Sequence, residues 1–190
     1  MKTQMTKLMF AAIVIAGAIT GCKKDKDTVP TPPPVVNETE VITTIKLTFT
    51  DSANTSNVIT AVFKDPDGDG GNAATQFDAI KLSANKTYLV AILLLDETKS
   101  PADTISNEVE EEANDHHFFF HHMGVSITST YLDQDTNTPP LPIGLLTKWR
   151  SGGVGTGTSQ VILKHQPNVK NGTEAPGETD INVTFQTEIK

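Results

Sequence analysis

Cysteine is all but missing from this 190-residue chain, where Cys22 is the single example. One thiol excludes an internal disulfide framework and any multi-cysteine zinc site. Cations are also short, with 15 Lys+Arg against 23 Asp+Glu and a net charge of −8. That balance argues against a nucleic-acid partner, which needs clustered Lys and Arg to displace phosphate counterions. Catalytic signatures are lacking too. The chain has no Gly-x-Ser-x-Gly elbow, no phosphate loop and no dinucleotide fingerprint, and these absences favour a non-enzymatic protein. The carboxylates between residues 108 and 112 are neighbours on one segment rather than two acids facing across a cleft. About 190 residues suits one domain with tails.

The start of the chain carries an address. Lys2 and Lys7 precede an apolar run from Leu8 to Ala16, which is too short for a comfortable membrane span and has the flanks of a secretory signal. Ile19-Thr20-Gly21-Cys22 resembles the bacterial lipobox, an aliphatic residue and two small ones before a cysteine. The resemblance implies a signal peptide over 1–21 and Cys22 as an acylated mature N-terminus. Two or more acyl chains, at about 0.8 kcal/mol per buried methylene, give a stable membrane anchor. Lys23-Lys24-Asp25-Lys26-Asp27 follows, then Thr28-Val29-Pro30-Thr31-Pro32-Pro33-Pro34. Proline at that density favours a semi-rigid polyproline II spacer, so residues 22–40 are read as a lipidated linker. Charged residues directly behind the cysteine resemble the surface-export signals of Bacteroidota lipoproteins. The expected location is the outer membrane, on its periplasmic or cell-surface face.

From residue 41 the hydrophobic period is two, and residues 41–190 are read as one domain. Val41, Ile45, Leu47 and Phe49 share one face, while Thr44, Lys46, Thr48 and Thr50 share the other. That pattern marks a half-buried strand. Further strands are expected at 57–64, 77–83, 87–95, 118–131, 144–150, 158–165 and 180–189. The first two strands form an expected hairpin across 51–56, and 77–83 pairs with 87–95 across 84–86. The density of Leu89-Val90-Ala91-Ile92-Leu93-Leu94-Leu95 suits a strand buried on both faces. Seven to eight short strands separated by turns read as an all-β, immunoglobulin-like antiparallel β-sandwich. One acidic helix interrupts it over 103–115, with Ile105, Val109 and Ala113 at helical spacing and Asp103 or Ser106 as its cap. A helix inserted into a sandwich covers an open edge or a sheet end.

Four stretches carry a wider resemblance: Val41-Ile42-Thr43-Thr44, Asp65-Pro66-Asp67-Gly68-Asp69-Gly70, Glu108-Val109-Glu110-Glu111-Glu112-Ala113 with His116, and Gly177-Glu178-Thr179-Asp180-Ile181. Over roughly residues 40–189 the chain is similar to an uncharacterised family of small Bacteroidota lipoproteins, often labelled as type 1 periplasmic binding fold proteins. The resemblance implies an envelope compartment and names no mechanism. The type 1 fold alternates strands and helices in two lobes, whereas no βαβα rhythm runs through this chain.

Chemistry-bearing side chains concentrate between 108 and 122. Glu108, Glu112 and His116 recur every four residues and share a face if the segment is helical. His121 and His122 point to opposite faces of a strand, so the clustered histidines cannot all converge. A metal site therefore draws on Glu112, His116, His117, His121 and His165 as candidate ligands. Imidazole with carboxylate and no thiolate suits Zn²⁺, Cu²⁺, Ni²⁺ or Fe. Histidines among Phe118, Phe119 and Phe120 equally suit a haem face, and the plainer alternative is an acidic solvated helix with histidines at a strand rim.

Asp65, Asp67 and Asp69 with Gly70 open like an oxygen-ligand Ca²⁺ loop, although Gln76 stands where an EF-hand needs its bidentate acid. Asp133, Asp135 and Asn137 repeat the spacing without the glycine, and both runs also suit ordinary turns. Asp27-Thr28-Val29, Asp51-Ser52-Ala53 and Asp103-Thr104-Ile105 resemble the Bacteroidota O-glycosylation sequon, which makes Thr28, Ser52 and Thr104 candidate acceptors. The expected function is a lipid-anchored module that binds a metal or small ligand at the helix and histidine end. An envelope partner such as a TonB-type receptor would fit that role. The alternative is a structural or adhesive surface module working through protein or glycan contacts.

Overall fold

Alternating apolar and polar side chains build most of the molecule, and their inward halves define its core. The computed structural model describes residues 40–67 and 71–190. The elements run β1 (Thr44–Asp51), β2 (Val58–Lys64), β3 (Gln76–Phe77), β4 (Ile80–Leu82), β5 (Thr87–Leu95), α1 (Ile105–Glu111), β6 (His116–Met123), β7 (Ile127–Tyr131), β8 (Leu146–Ser151), β9 (Gly155–His165) and β10 (Glu178–Ile189). A six-stranded sheet has the order β3-β2-β1-β5-β8-β7 and a four-stranded sheet the order β4-β10-β9-β6. Their inner faces enclose one apolar core, so the chain is an all-β sandwich. The described residues form none of the alternating α/β lobes of a type 1 periplasmic fold.

Ile45, Leu47 and Phe49 of β1 face Val161 and Leu163 of β9 and Val183 and Phe185 of β10 within a single buried cluster. Each such side chain, fully removed from water, contributes roughly 1.5–3 kcal/mol. Phe49 meets Trp149 edge-on at 5.4 Å and Tyr88 at 6.3 Å. These aromatic pairs fix the middle of the six-stranded sheet.

Ten strands replace the seven to eight expected because two expected strands each divide between the sheets. The 77–83 segment breaks where the Asp78 carboxylate accepts the Val62 N–H at 3.0 Å; β3 then pairs with β2 and β4 with β10. The 118–131 segment breaks at Gly124, whose φ of 74° suits a residue without Cβ. The hairpin expected across 84–86 does not form, since β4 and β5 lie in different sheets. The β4–β10 pair is parallel, so the sandwich is mixed rather than wholly antiparallel.

The Leu-rich β5 is buried on one face only. Tyr88, Val90, Ile92 and Leu94 point inward, whereas Leu89 is 40% exposed. No described element covers the outer face of the six-stranded sheet. Val41 is likewise exposed rather than part of the core face.

Helix α1 is shorter than the expected 103–115. Glu112 leaves helical geometry at φ −98°, ψ 33° while its N–H still reaches the Glu108 carbonyl. Neither Asp103 nor Ser106 caps the helix. Thr104 occupies the cap position without a side-chain bond, and Ser106 Oγ instead accepts the Leu94 N–H at 2.6 Å. β8 pairs with β5 only from Thr87 to Ala91, so the helix covers the edge that β8 leaves open. Ile105 and Val109 insert into the core there.

Candidate functional site: a buried histidine and carboxylate cluster

Where α1 ends, the chain turns through Glu112 to Asp115 and enters β6 at His116. The Glu112 carbonyl accepts the Asp115 N–H at 2.9 Å and lies 3.2 Å from His116 Nδ1. A carbonyl can only accept, so Nδ1 carries the proton and Nε2 keeps its lone pair. His116 pairs in register with His165, the last residue of β9. Their rings stack in parallel with centroids 4.5 Å apart. One ligand atom each from Glu112, His116 and His165 lies within 4.8 Å of the others.

Two further carboxylates close on the same imidazole. Nε2 of the fully buried His116 stands 3.8 Å from Glu40 Oε1 and 4.0 Å from Asp180 Oδ2. Asp180 gets there through a β-bulge. Thr179 pairs with Lys164 and Ile181 with Leu163, which leaves Asp180 as the extra residue. The alternation set by Ile181, Val183 and Phe185 would aim residue 180 outward. The bulge turns it inward until its side chain is only 4% exposed. Glu40, placed in the linker by its sequence, belongs to this cluster.

Burial and like charge set the electrostatics. Desolvation pushes Glu40 up to about 7, with Asp180, Glu108 and Glu112 adding repulsion. Desolvation likewise raises Asp180 to about 6, against the opposing pull of His165. His116 is pushed down to about 4 by burial and by its histidine neighbour. Glu40 Oε2, His116 Nε2 and Asp180 Oδ2 are buried without hydrogen-bond partners. Among the described residues no Lys or Arg ion-pairs with Glu40, Glu112 or Asp180. The arrangement suits a cation, which would satisfy the orphaned atoms and relieve the repulsion.

The other histidines go elsewhere. His117 points to the opposite face of β6, packs on Phe119 at 4.1 Å and Tyr131 at 5.4 Å, and has no partner for either ring nitrogen. Burial, then the charge of Lys170, pushes it down to about 4. His121 is exposed and pairs with Glu174 at 2.6 Å. His122, not among the candidate ligands, is held by Ser159 at 2.9 Å and Ser129 at 2.7 Å. Thus His116, His165 and Glu112 converge, and His117 and His121 do not. The two converging rings stack on each other, and Phe118 is fully buried in the core.

In the first acidic loop, Asp67 Oδ2 accepts the Asn72 N–H at 2.8 Å and its amide Nδ2 at 2.7 Å, closing the turn. Asp69 lies outside the described residues. In the second loop, Asp133 accepts the N–H groups of Gly144 and Leu146. Asp135 accepts those of Asn137 and Leu141 and pairs with the buried Lys170 at 2.9 Å. The carboxylates of Asp67, Asp133 and Asp135 thus accept from groups of the chain itself. Of the glycosylation candidates, Ser52 is exposed in the β1–β2 turn and Thr104 is half-buried before α1. Thr28 and the anchor residue Cys22 lie outside the described residues.

Comparison with protein-family models, curated proteins and solved structures finds no match for this chain.

Proposed function

We propose that this protein is an exported, lipid-anchored β-sandwich of the bacterial envelope that binds a divalent transition metal ion at the His116 cluster without catalysing a reaction. The observation that carries the metal reading is the convergence of Glu112, His116 and His165 within 4.8 Å around a fully buried imidazole. Metal-ligating histidines commonly donate their second N–H to a carbonyl or carboxylate, which fixes the tautomer. The Glu112 carbonyl does this for His116. Two imidazoles with carboxylate oxygens favour Zn²⁺, Fe²⁺, Co²⁺ or Ni²⁺, and the lack of thiolate disfavours Cu⁺. The lipobox-like Ile19-Thr20-Gly21-Cys22 supports the anchor, and the family resemblance supports the compartment.

Equilibrium dialysis of the full chain against Zn²⁺, Fe²⁺, Co²⁺ and Ni²⁺, with metal analysis of the retained protein, tests the reading. One equivalent of ion is expected in the parent and none in His116→Ala. No stoichiometric metal in the parent would remove the proposal.

A second reading, an adhesive or structural module, draws on the uncovered outer face of the six-stranded sheet. Val58, Leu89 and Leu146 are 51%, 40% and 42% exposed there. A partner engaged through that face would be lost on Leu89→Lys and retained on His116→Ala.

A further inference from the structure

We infer that Glu40 and Asp180 are ligands of the same ion as His116, so that metal binding fastens the start of the domain to the ends of β6 and β10. This deepens the metal-binding reading above and rests on it.

Three polar atoms lie on three separate chain segments. Glu40 Oε2 precedes β1, His116 Nε2 opens β6, and Asp180 Oδ2 lies on the β10 bulge; each is buried without a hydrogen-bond partner. Buried orphans are rare, because each costs about 1–3 kcal/mol. Glu40, His116 and Asp180 each carry one, and both carboxylates approach His116 Nε2, which points to a shared missing partner. Direct hydrogen bonding does not supply it. The separations from His116 Nε2 are 3.8 Å to Glu40 Oε1, the second oxygen of that carboxylate, and 4.0 Å to Asp180 Oδ2, beyond the 2.7–3.2 Å range of N–H···O bonds. Ligand atoms around an ion with bonds of about 2.0–2.2 Å stand roughly 3.0–3.5 Å apart. Shortening each of these two separations by a few tenths of an ångström to about one would bring both oxygens within that range of His116 Nε2.

Backbone construction agrees. A regular β10 would aim residue 180 at solvent, and the single register shift in its pairing with β9 sends the carboxylate inward. Bulges re-aim side chains in this way, often beside functional sites. Glu40 adds a mechanical consequence. Among the described residues the first backbone hydrogen bond is Thr43 N–H to the Leu95 carbonyl at 2.9 Å, three residues after Glu40. A bond from Glu40 to the ion would extend the fastened region to residue 40. In sequence that is the point where the 22–40 linker meets the domain.

The chemistry also narrows the ion. Glu40 and Asp180 add two hard oxygen donors to the imidazoles, which shifts preference toward Zn²⁺, Fe²⁺ and Mn²⁺ and away from soft cations.

The experiment uses the full chain and Zn²⁺ as probe, in competition with a chromophoric chelator. The set comprises the parent, Glu40→Gln, Asp180→Asn, His165→Ala and the surface control Glu110→Gln. Glu40→Gln and Asp180→Asn should each weaken Zn²⁺ binding at least tenfold, while Glu110→Gln leaves it unchanged. Hydrogen exchange gives an independent readout: Zn²⁺ should slow exchange at residues 40–43 in the parent and not in Glu40→Gln. If both carboxylate variants bind like the parent while His165→Ala does not, the ion sits on Glu112, His116 and His165 alone. The inference then fails and the metal reading stands. If the parent binds no Zn²⁺, ordered water occupies the gap and both fall. Circular dichroism checks folding, and if Asp180→Asn fails to fold, Glu40→Gln decides the matter alone.

Discussion

Asp135→Ala should destabilise the fold more than Lys170→Met, although both remove the same ion pair. The two side chains meet at 2.9 Å with exposures of 0% and 1%, joining the loop after β7 to the segment after β9. Their remaining partners differ. Without Lys170, Asp135 still accepts the N–H groups of Asn137 and Leu141 and the Asn137 amide. The carboxylate stays solvated by the protein, and the cost should be about 1–2 kcal/mol. Without Asp135, the Lys170 ammonium keeps only the Ala113 carbonyl, at 2.8 Å, and two backbone N–H groups lose an acceptor. Breaking a buried pair from that side costs about 3–5 kcal/mol.

Burial already pushes Lys170 down, against the pull of Asp135. Once the carboxylate is gone, the amine should lose its proton more readily in the folded state than in the unfolded state. The folded chain then binds fewer protons, and the Asp135→Ala deficit should shrink as pH rises toward 9–10. Trp149, the single tryptophan, is fully buried and reports unfolding by its emission. In guanidinium chloride, with a slope of about 4 kcal/mol/M, the midpoint of Asp135→Ala should fall by about 1 M. A Lys170→Met loss equal to or larger than that of Asp135→Ala would refute the reasoning, as would a deficit that grows with pH.

Gly157→Ala should cost at least about 2–3 kcal/mol or prevent folding, because an added Cβ would stand 2.0 Å from the Met123 carbonyl oxygen, a backbone atom that cannot give way. Gly153→Ala meets nothing within 4 Å and should change stability by under about 0.5 kcal/mol in the same denaturant assay. His122, pushed down to about 4 by burial and then by His121, binds fewer protons folded than unfolded between about pH 4 and 6.5. It should therefore contribute stability above pH 6.5 that is lost as pH falls toward 4. The parent's melting temperature should fall across that window, and His122→Gln should show a shallower decline; an unchanged slope would count against it.

The sandwich was legible because its period was. The alternation from Ile45 to Phe49 is the observed inward face of β1, and Ile105 with Val109 is the buried stripe of α1. Strand breaks were not legible, since Asp78 and Gly124 sit inside runs that read as continuous and act through partners on other strands. Leu89, Leu93 and Leu95 misled in another way. Hydrophobicity alone cannot tell a strand covered on both faces from one whose outer leucines remain part-exposed. The site was half visible. Helical spacing linked Glu112 and His116, but the structure unites them through a turn and brings in His165 by strand register. Asp180 was hidden because a bulge overturns the parity by which faces are read. Glu40 was hidden because it precedes Val41, where the alternation begins.

The proposed ion sits against His116. The most direct test is anomalous diffraction at the zinc edge from crystals of the protein grown with Zn²⁺. A single strong peak is expected about 2.0–2.2 Å from His116 Nε2, in contact with His165 and at least one of the surrounding carboxylates. A peak only at the exposed His121–Glu174 pair, or none above noise, would contradict it.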